Sequence, residues 1–105
     1  MTNEYGVALD RNGYAPSIID HNDGSCYICH KTTYLQRHEI FHGANRQKSK
    51  AYGLWVNVCY PCHAAIHNTD GRLNRTLKRE AQKLAMRHYG WYRKGFIERF
   101  GKNYD

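Results

Sequence analysis

The stretch that decides the fold is VCYPCHAAIH, residues 58–67. It joins a C-x-x-C pair, Cys59 and Cys62, to two histidines, His63 and His67, which are spaced four residues apart. The proline between the cysteines suits the first turn of a helix, because its missing N–H would have no intrahelical partner there. Residues four apart on a helix lie on one face. The stretch therefore predicts a helix that begins at the cysteines and presents both histidines on the same side.

A second C-x-x-C pair, Cys26 and Cys29, lies upstream, and residues 30–58 separate the two pairs. The chain has 105 residues and four cysteines. A domain this small buries little apolar surface and often needs a metal or disulfide for stability. In a reducing compartment, paired C-x-x-C motifs indicate one tetrahedral zinc site rather than two disulfides. We therefore expect one structural Zn²⁺, held by Cys26, Cys29, Cys59 and Cys62.

The histidines predict a second metal site. Adjacent helical residues point roughly 100° apart, given ~3.6 residues per turn, so Cys62 and His63 are not expected to bind the same ion. His63 and His67 can instead share another ion. A third ligand is expected from RHEIFH, residues 37–42, with His38 as the first choice. Such a site leaves positions open for water and a substrate oxygen, which is typical of a catalytic metal.

Strand alternation separates the remaining side chains of this segment. His38 is expected on the face opposite to Glu39 and Phe41, and His42 at the strand end on the His38 side. The other histidines have no comparable partners and are expected to be structural or to face solvent: His21, His30 and His88.

Outward from these motifs, the sequence predicts a single α+β domain. An irregular N-terminal arm over 1–23 precedes a zinc-stapled core over 24–71 and a basic helical extension over 72–105 that packs on the core. The predicted elements are strands near 34–41 and 54–58 joined by a long polar connection, and helices over 60–68, 73–89 and around 96–100. The 73–89 helix is expected to end at Gly90 and to have one apolar face, which comprises Leu73, Leu77, Ala81, Leu84, Ala85 and Tyr89. The cluster Asn68-Thr69-Asp70-Gly71 is expected to end the first helix.

Charge is distributed unevenly along the chain. Residues 1–25 hold one arginine and four acidic residues, a net −3, which leaves +10 for residues 26–105 out of the total of +7. Ten basic residues lie between Arg72 and Lys102. This surplus predicts a polyanionic partner, most simply nucleic-acid phosphates. No apolar run approaches the ~20 residues of a membrane span, and the first 13 residues lack signal-peptide character, so a cytoplasmic location without membrane contact is expected.

Together these motifs resemble the HNH, or ββα-metal, endonucleases, and most closely the small HNH proteins of phages and prophages. The resemblance runs through CYIC (26–29), RHEIF (37–41) and VCYPCHAAIH (58–67). It extends to GANR (43–46) and FGKNY (100–104), and LDRNGYAPSI (9–18) is similar as well.

The resemblance implies a hairpin and helix that clasp one divalent ion, Mg²⁺, Mn²⁺, Ni²⁺ or Zn²⁺, beside a separate structural zinc. In that family a strand histidine deprotonates the attacking water. Two registers fit this chain. In one, His38 is a metal ligand and Glu39 occupies the base position. In the other, which we prefer from the sequence, His38 is the base, Arg37 stands where a ligand is usual, and the ion is held by His63 and His67.

The conserved asparagine of the family corresponds to Asn45, in the connection, or to Asn57, in the second strand, with Asn45 preferred because it could close the loop by bonding its backbone. The resemblance and the local charge give candidates for phosphate contact: Arg37, Arg46, Lys48 and Lys50. The expected function is a metal-dependent DNA endonuclease or nickase of phage DNA processing. The alternatives are a non-catalytic zinc-stapled DNA-binding module and an adaptor of a phage DNA-packaging machine, with a phage protein as partner.

Overall fold

The computed structural model describes residues 1–68 and 71–105. Within these ranges it is a small α+β domain with a two-stranded sheet and four helices, so the predicted α+β class is confirmed. The elements are β1 (Leu35–Glu39), a 3-10 turn (Gly43–Asn45), α1 (Arg46–Ala51), β2 (Trp55–Cys59), α2 (Tyr60–Asn68), α3 (Arg72–Tyr89) and α4 (Arg93–Phe100).

The two strands form an antiparallel hairpin that places the site residues. Leu35 pairs with Cys59, and His38 pairs with Val56. β2 ends at Cys59 and α2 begins at Tyr60, so chain direction changes at the cysteine pair. His38 therefore lies on the face of the sheet that α2 covers.

The connection between the strands is helical, whereas the sequence indicated only a polar linker. This connection is held against the strands by Ser49, which is fully buried. The Ser49 hydroxyl donates to the carbonyl of Leu54 at 2.5 Å and accepts from the backbone N–H of Phe41 at 3.1 Å. RQKSKA, residues 46–51, shows no apolar periodicity. This helix is held in place by tertiary hydrogen bonds rather than by burial of an apolar face, so the sequence pattern did not predict it.

The core lies between the hairpin and the C-terminal helices. The predicted apolar face of α3 contributes buried Leu77, Ala81 and Ala85. Outside α3, the largest fully buried side chains of the described residues are Ile40, Phe41, Leu54, Val56, Val58, Ile66, Phe96 and Phe100. α3 ends at Gly90, as the sequence predicts, with the left-handed φ of 74° that glycine adopts without strain.

The N-terminal arm has no regular helix and packs along the hairpin. The N–H of Ile18 donates to the carbonyl of Gly53 at 3.0 Å, and the indole of Trp55 donates to the carbonyl of Ala15 at 2.8 Å. A Cβ at Gly53 would lie 2.3 Å from the carbonyl oxygen of Pro16, so only glycine permits this approach. The arm thus forms one wall of the domain.

Gly71 directly precedes α3 with a φ of 86°. The predicted breaker cluster also includes positions 69 and 70, which lie outside the described residues. Among the helices described, none has the length and apolar character needed to cross a membrane.

Candidate metal centres

The four cysteines form one cluster. Cys26 and Cys29 lie in the loop before β1, Cys59 ends β2, and Cys62 lies in the first turn of α2. All four Sγ atoms lie within 4.8 Å of one another, and the cysteines are reduced. Cys29 Sγ and Cys59 Sγ are 3.4 Å apart. The cluster could hold a structural zinc that ties the loop, the strand and the helix together.

The surroundings of the thiols shift the pKa values of Cys26 and Cys62 in opposite directions. Backbone N–H groups of Ile28 and Cys29 point at Cys26 Sγ, at 3.4 and 3.5 Å. Burial alone would raise the pKa of Cys26, but N–H donation from Cys29, Cys59 and Ile28 outweighs it and lowers that pKa to about 6. Burial, and then hydrogen bonds with the other thiols, raises the pKa of Cys62. A divalent ion would favour the thiolate at every position.

His38, His63 and His67 form the second cluster, with ligand nitrogens within 4.8 Å of one another. The Nε2 atoms of His63 and His67 are 3.2 Å apart. The ring of His38 lies 5.2 Å from that of His63 and 5.5 Å from that of His67, between centroids. The structure therefore brings together the strand histidine and the i, i+4 pair.

The surroundings of His38 suit a metal ligand. It is 3% exposed, and its Nε2 has no hydrogen-bond partner within residues 1–68 and 71–105. Burial, followed by the charges of His63, His67 and His42, lowers the pKa of His38 to about 4. The ring is therefore neutral near pH 7, which leaves a nitrogen lone pair for a metal. A buried nitrogen without a partner is otherwise costly.

Gln36 orients one of these histidines, and our sequence interpretation missed it. Its Oε1 accepts a hydrogen bond from Nδ1 of His63 at 2.7 Å. That contact fixes the ring so that Nε2 faces His67. Gln36 lies two residues before His38 and so shares its strand face. Strand alternation could have placed Gln36 on that face, but not against His63 of α2.

Replacement of Gln36 by Ala is expected to weaken binding of an ion at the histidine cluster about 10- to 100-fold, because it removes the partner that orients a ligand. Calorimetric titration of the zinc-loaded protein with Mn²⁺ measures this affinity. Gln47→Ala, at an exposed glutamine of α1, serves as the matched control. An unchanged affinity in the Gln36 variant would show that the hydrogen bond has no role in metal binding.

The histidine cluster opens into a cleft of about 150 Å³. Besides the three histidines, the cleft is lined by Arg37, Glu39, His42 and Arg46. The ring of His42 lies 6.2 Å from that of His67, between centroids. The cleft thus combines three clustered imidazoles, which could hold a metal ion, with basic side chains and a carboxylate.

Glu39 and Arg46 form a pair in this cleft. Nε of Arg46 donates to one carboxylate oxygen of Glu39 at 2.6 Å, and the hydroxyl of Tyr14 donates to the other at 2.9 Å. The Glu39 side chain is 10% exposed, against 51% for Arg46. The exposed arginine therefore keeps donors available to an incoming anion.

Arg37 of β1 lines the cleft and also contacts the N-terminal arm. Its guanidinium donates to the Asp10 carboxylate at 2.9 Å and lies over the rings of Tyr14 and Trp55, 4.3 and 4.8 Å from their centroids. Arg37 thus links the strand to the N-terminal arm.

The other predicted phosphate contacts lie elsewhere. The Lys48 ammonium donates to the carbonyl of Arg99 at 2.6 Å, and Lys50 is 6% exposed with its ammonium over the ring of Tyr14. The structure brings Arg37 and Arg46 to the cleft, and it does not bring Lys48 or Lys50 there.

Neither candidate asparagine lines the cleft. The amide of Asn45 donates to the carbonyl of Phe100 at 2.9 Å, so it ties the connection to α4 instead of closing its own loop. The backbone N–H of Asn57 donates to the carboxylate of Asp20 at 2.9 Å, which fastens the arm to β2.

The three histidines predicted to be structural also lie away from the cleft lining. His21 stacks on Tyr27 and lies near His30, and His88 packs edge-on against Tyr89.

No family model, curated protein or solved structure matches this chain. The residues of the two clusters and the fold that carries them are therefore the basis for a functional assignment.

Proposed function

We propose that this chain is a metal-dependent endonuclease of the HNH, or ββα-metal, type that hydrolyses DNA phosphodiester bonds. The observation that carries the proposal is the convergence of His38, His63 and His67 at the junction of a hairpin and a helix, below an open cleft. A separate four-thiol cluster lies at the same junction and would supply stability by holding a zinc. The net charge of +7 suits a polyanionic substrate.

The three imidazoles would hold one divalent ion. When bound, such an ion neutralises a phosphate oxygen and the charge that develops on the leaving 3′ oxygen. The buried Nε2 of His38 supports the register in which this residue is a ligand and Glu39 occupies the base position. Glu39 and His42 both line the cleft, and each carries an atom able to take a proton from water. Arg46 orients the phosphate with donors that Glu39 leaves free.

A second candidate is a DNA-binding module without catalysis. The arrangement of Glu39 favours it, because that carboxylate already accepts hydrogen bonds from Arg46 and Tyr14. Each carboxylate oxygen therefore already has a donor, which leaves fewer lone pairs open to a proton from an attacking water.

The test is cleavage of supercoiled plasmid by the zinc-loaded protein, with Mg²⁺, Mn²⁺, Ni²⁺ or Zn²⁺ added separately. We expect conversion to nicked or linear DNA with at least one of these ions and none without added metal. A folded protein that binds the plasmid but leaves it intact with every ion would contradict the nuclease and support the binding module.

A further inference from the structure

A second cleft lies between α3 and the C-terminal tail. It has a volume of about 240 Å³ and is lined by Arg75, Lys78, Arg79, Lys102, Asn103 and Tyr104. Four of these six side chains are cationic and none is acidic. We refer to it as the tail cleft.

The tail cleft is a rigid structure. Gln82 of α3 is fully buried; its amide nitrogen donates to Oδ1 of Asn103 at 2.7 Å, and its Oε1 accepts from the backbone N–H of Tyr104 at 2.7 Å. The ring of Tyr104 packs on Phe41, with centroids 4.9 Å apart. The wall formed by the tail is therefore fixed before any ligand arrives, which reduces the entropic cost of binding.

Positive charge is concentrated in this cleft around one aromatic ring. The ammonium groups of Lys78 and Lys102 lie 5.5 and 4.9 Å from the centroid of the same Tyr104 ring. Burial, and then the charge of Lys102, lowers the pKa of Lys78. Both lysines line the cleft, so an anion bound there would be attracted by both ammonium groups and would offset their mutual repulsion.

The tail cleft lies beside the metal cleft. His42 lines the metal cleft, and the ring of its neighbour Phe41 packs against that of Tyr104, which lines the tail cleft. Residues 41–42, just after β1, therefore lie between the two clefts.

From these contacts we infer that the tail cleft binds a backbone phosphate of DNA, through Lys78, Lys102 and Arg79, next to the phosphate that is cut. The inference rests on the proposed function for its substrate and extends it by a binding site. DNA fits better than a single small anion, because a strand that enters the metal cleft carries further phosphates, and the tail cleft lies across the contact between Phe41 and Tyr104. Contacts to phosphate position a duplex without reading its sequence.

The test measures DNA binding without cleavage. A fluorescent duplex of about 20 base pairs is titrated with zinc-loaded protein at several salt concentrations, with no other divalent ion. The double variant Lys78→Gln/Lys102→Gln keeps much of both side-chain stems and removes two charges. We expect Kd to rise about tenfold and the slope of log K against log salt to become shallower by about 1 to 2. Lys102→Gln alone, at an exposed tail residue, is expected to show part of the same effect.

The matched control is Lys31→Gln/Lys94→Gln, which removes two exposed charges outside the tail cleft. Equal weakening by both double variants would overturn the inference, because net charge alone would then explain binding. Displacement of the duplex by polyglutamate as effectively as by unlabelled DNA would also overturn it. Because the experiment measures binding, a loss of DNA affinity that is specific to the tail-cleft variant upholds this site even if the protein does not cut DNA. Absence of cutting would contradict only the proposed nuclease activity.

Discussion

Replacement of Cys59 by Ser is expected to unfold the domain. Cys59 is 2% exposed at the end of β2, and its sulfur lies 3.4 Å from that of Cys29. Structural zinc contributes roughly 10–16 kcal/mol to the folding of small domains, as much as the whole stability of most of them, about 5–15 kcal/mol. The loss of one thiolate removes most of that contribution. Circular dichroism and zinc content, measured on the same sample, should show loss of helix and of the single tightly bound zinc.

Two comparisons separate the zinc from ordinary packing. Cys62→His keeps a ligand that zinc accepts and is expected to retain part of the structure. Removal of zinc from the wild-type protein by a strong chelator should reproduce the unfolding. A Cys59→Ser protein that melts within a few degrees of wild type would show that the thiol cluster does not supply the stability we assign to it.

Replacement of His67 by Ala is expected to leave the fold intact and to lower DNA cutting by about 10³-fold or more, the equivalent of several kcal/mol of lost transition-state stabilisation. The fold should survive because His67 is an exposed residue of α2, distinct from the thiol cluster. Single-turnover cleavage at saturating DNA measures the rate, and Mn²⁺ titration measures the loss of the ion.

His38→Ala is expected to give the same loss of cutting, since His38 completes the ligand set. His88→Ala, on α3 and outside the cleft lining, serves as the control and should cut at the wild-type rate. Wild-type cutting by the His67 or the His38 variant would remove that residue from the site.

The features predictable from the sequence were those set by local spacing. The i, i+4 pair His63 and His67 shares a helix face wherever that helix lies, and the two C-x-x-C motifs converge in a four-thiol cluster that could hold a tetrahedral zinc. The amphipathic period of α3 likewise predicted which of its residues face the core.

The remaining features depend on contacts between distant parts of the chain. Helix α1 forms around the buried hydroxyl of Ser49, a polar residue with no pattern to mark it. Lys50 is buried with its ammonium group over the ring of Tyr14 in the N-terminal arm, although a lysine is usually exposed. The role of Gln36 depends on the position of α2 over β1, which strand alternation alone does not supply.

The most direct test of a separate catalytic metal centre is a single titration. Protein that holds one zinc is titrated with Mn²⁺ while bound ions are counted and plasmid cutting is followed in the same samples. The account predicts that cutting rises with the occupancy of a second ion, saturates at one Mn²⁺ per chain, and is absent together with that ion in the His67→Ala variant. A second ion that binds in wild type and is lost in the variant, while the plasmid stays intact in both, would contradict it.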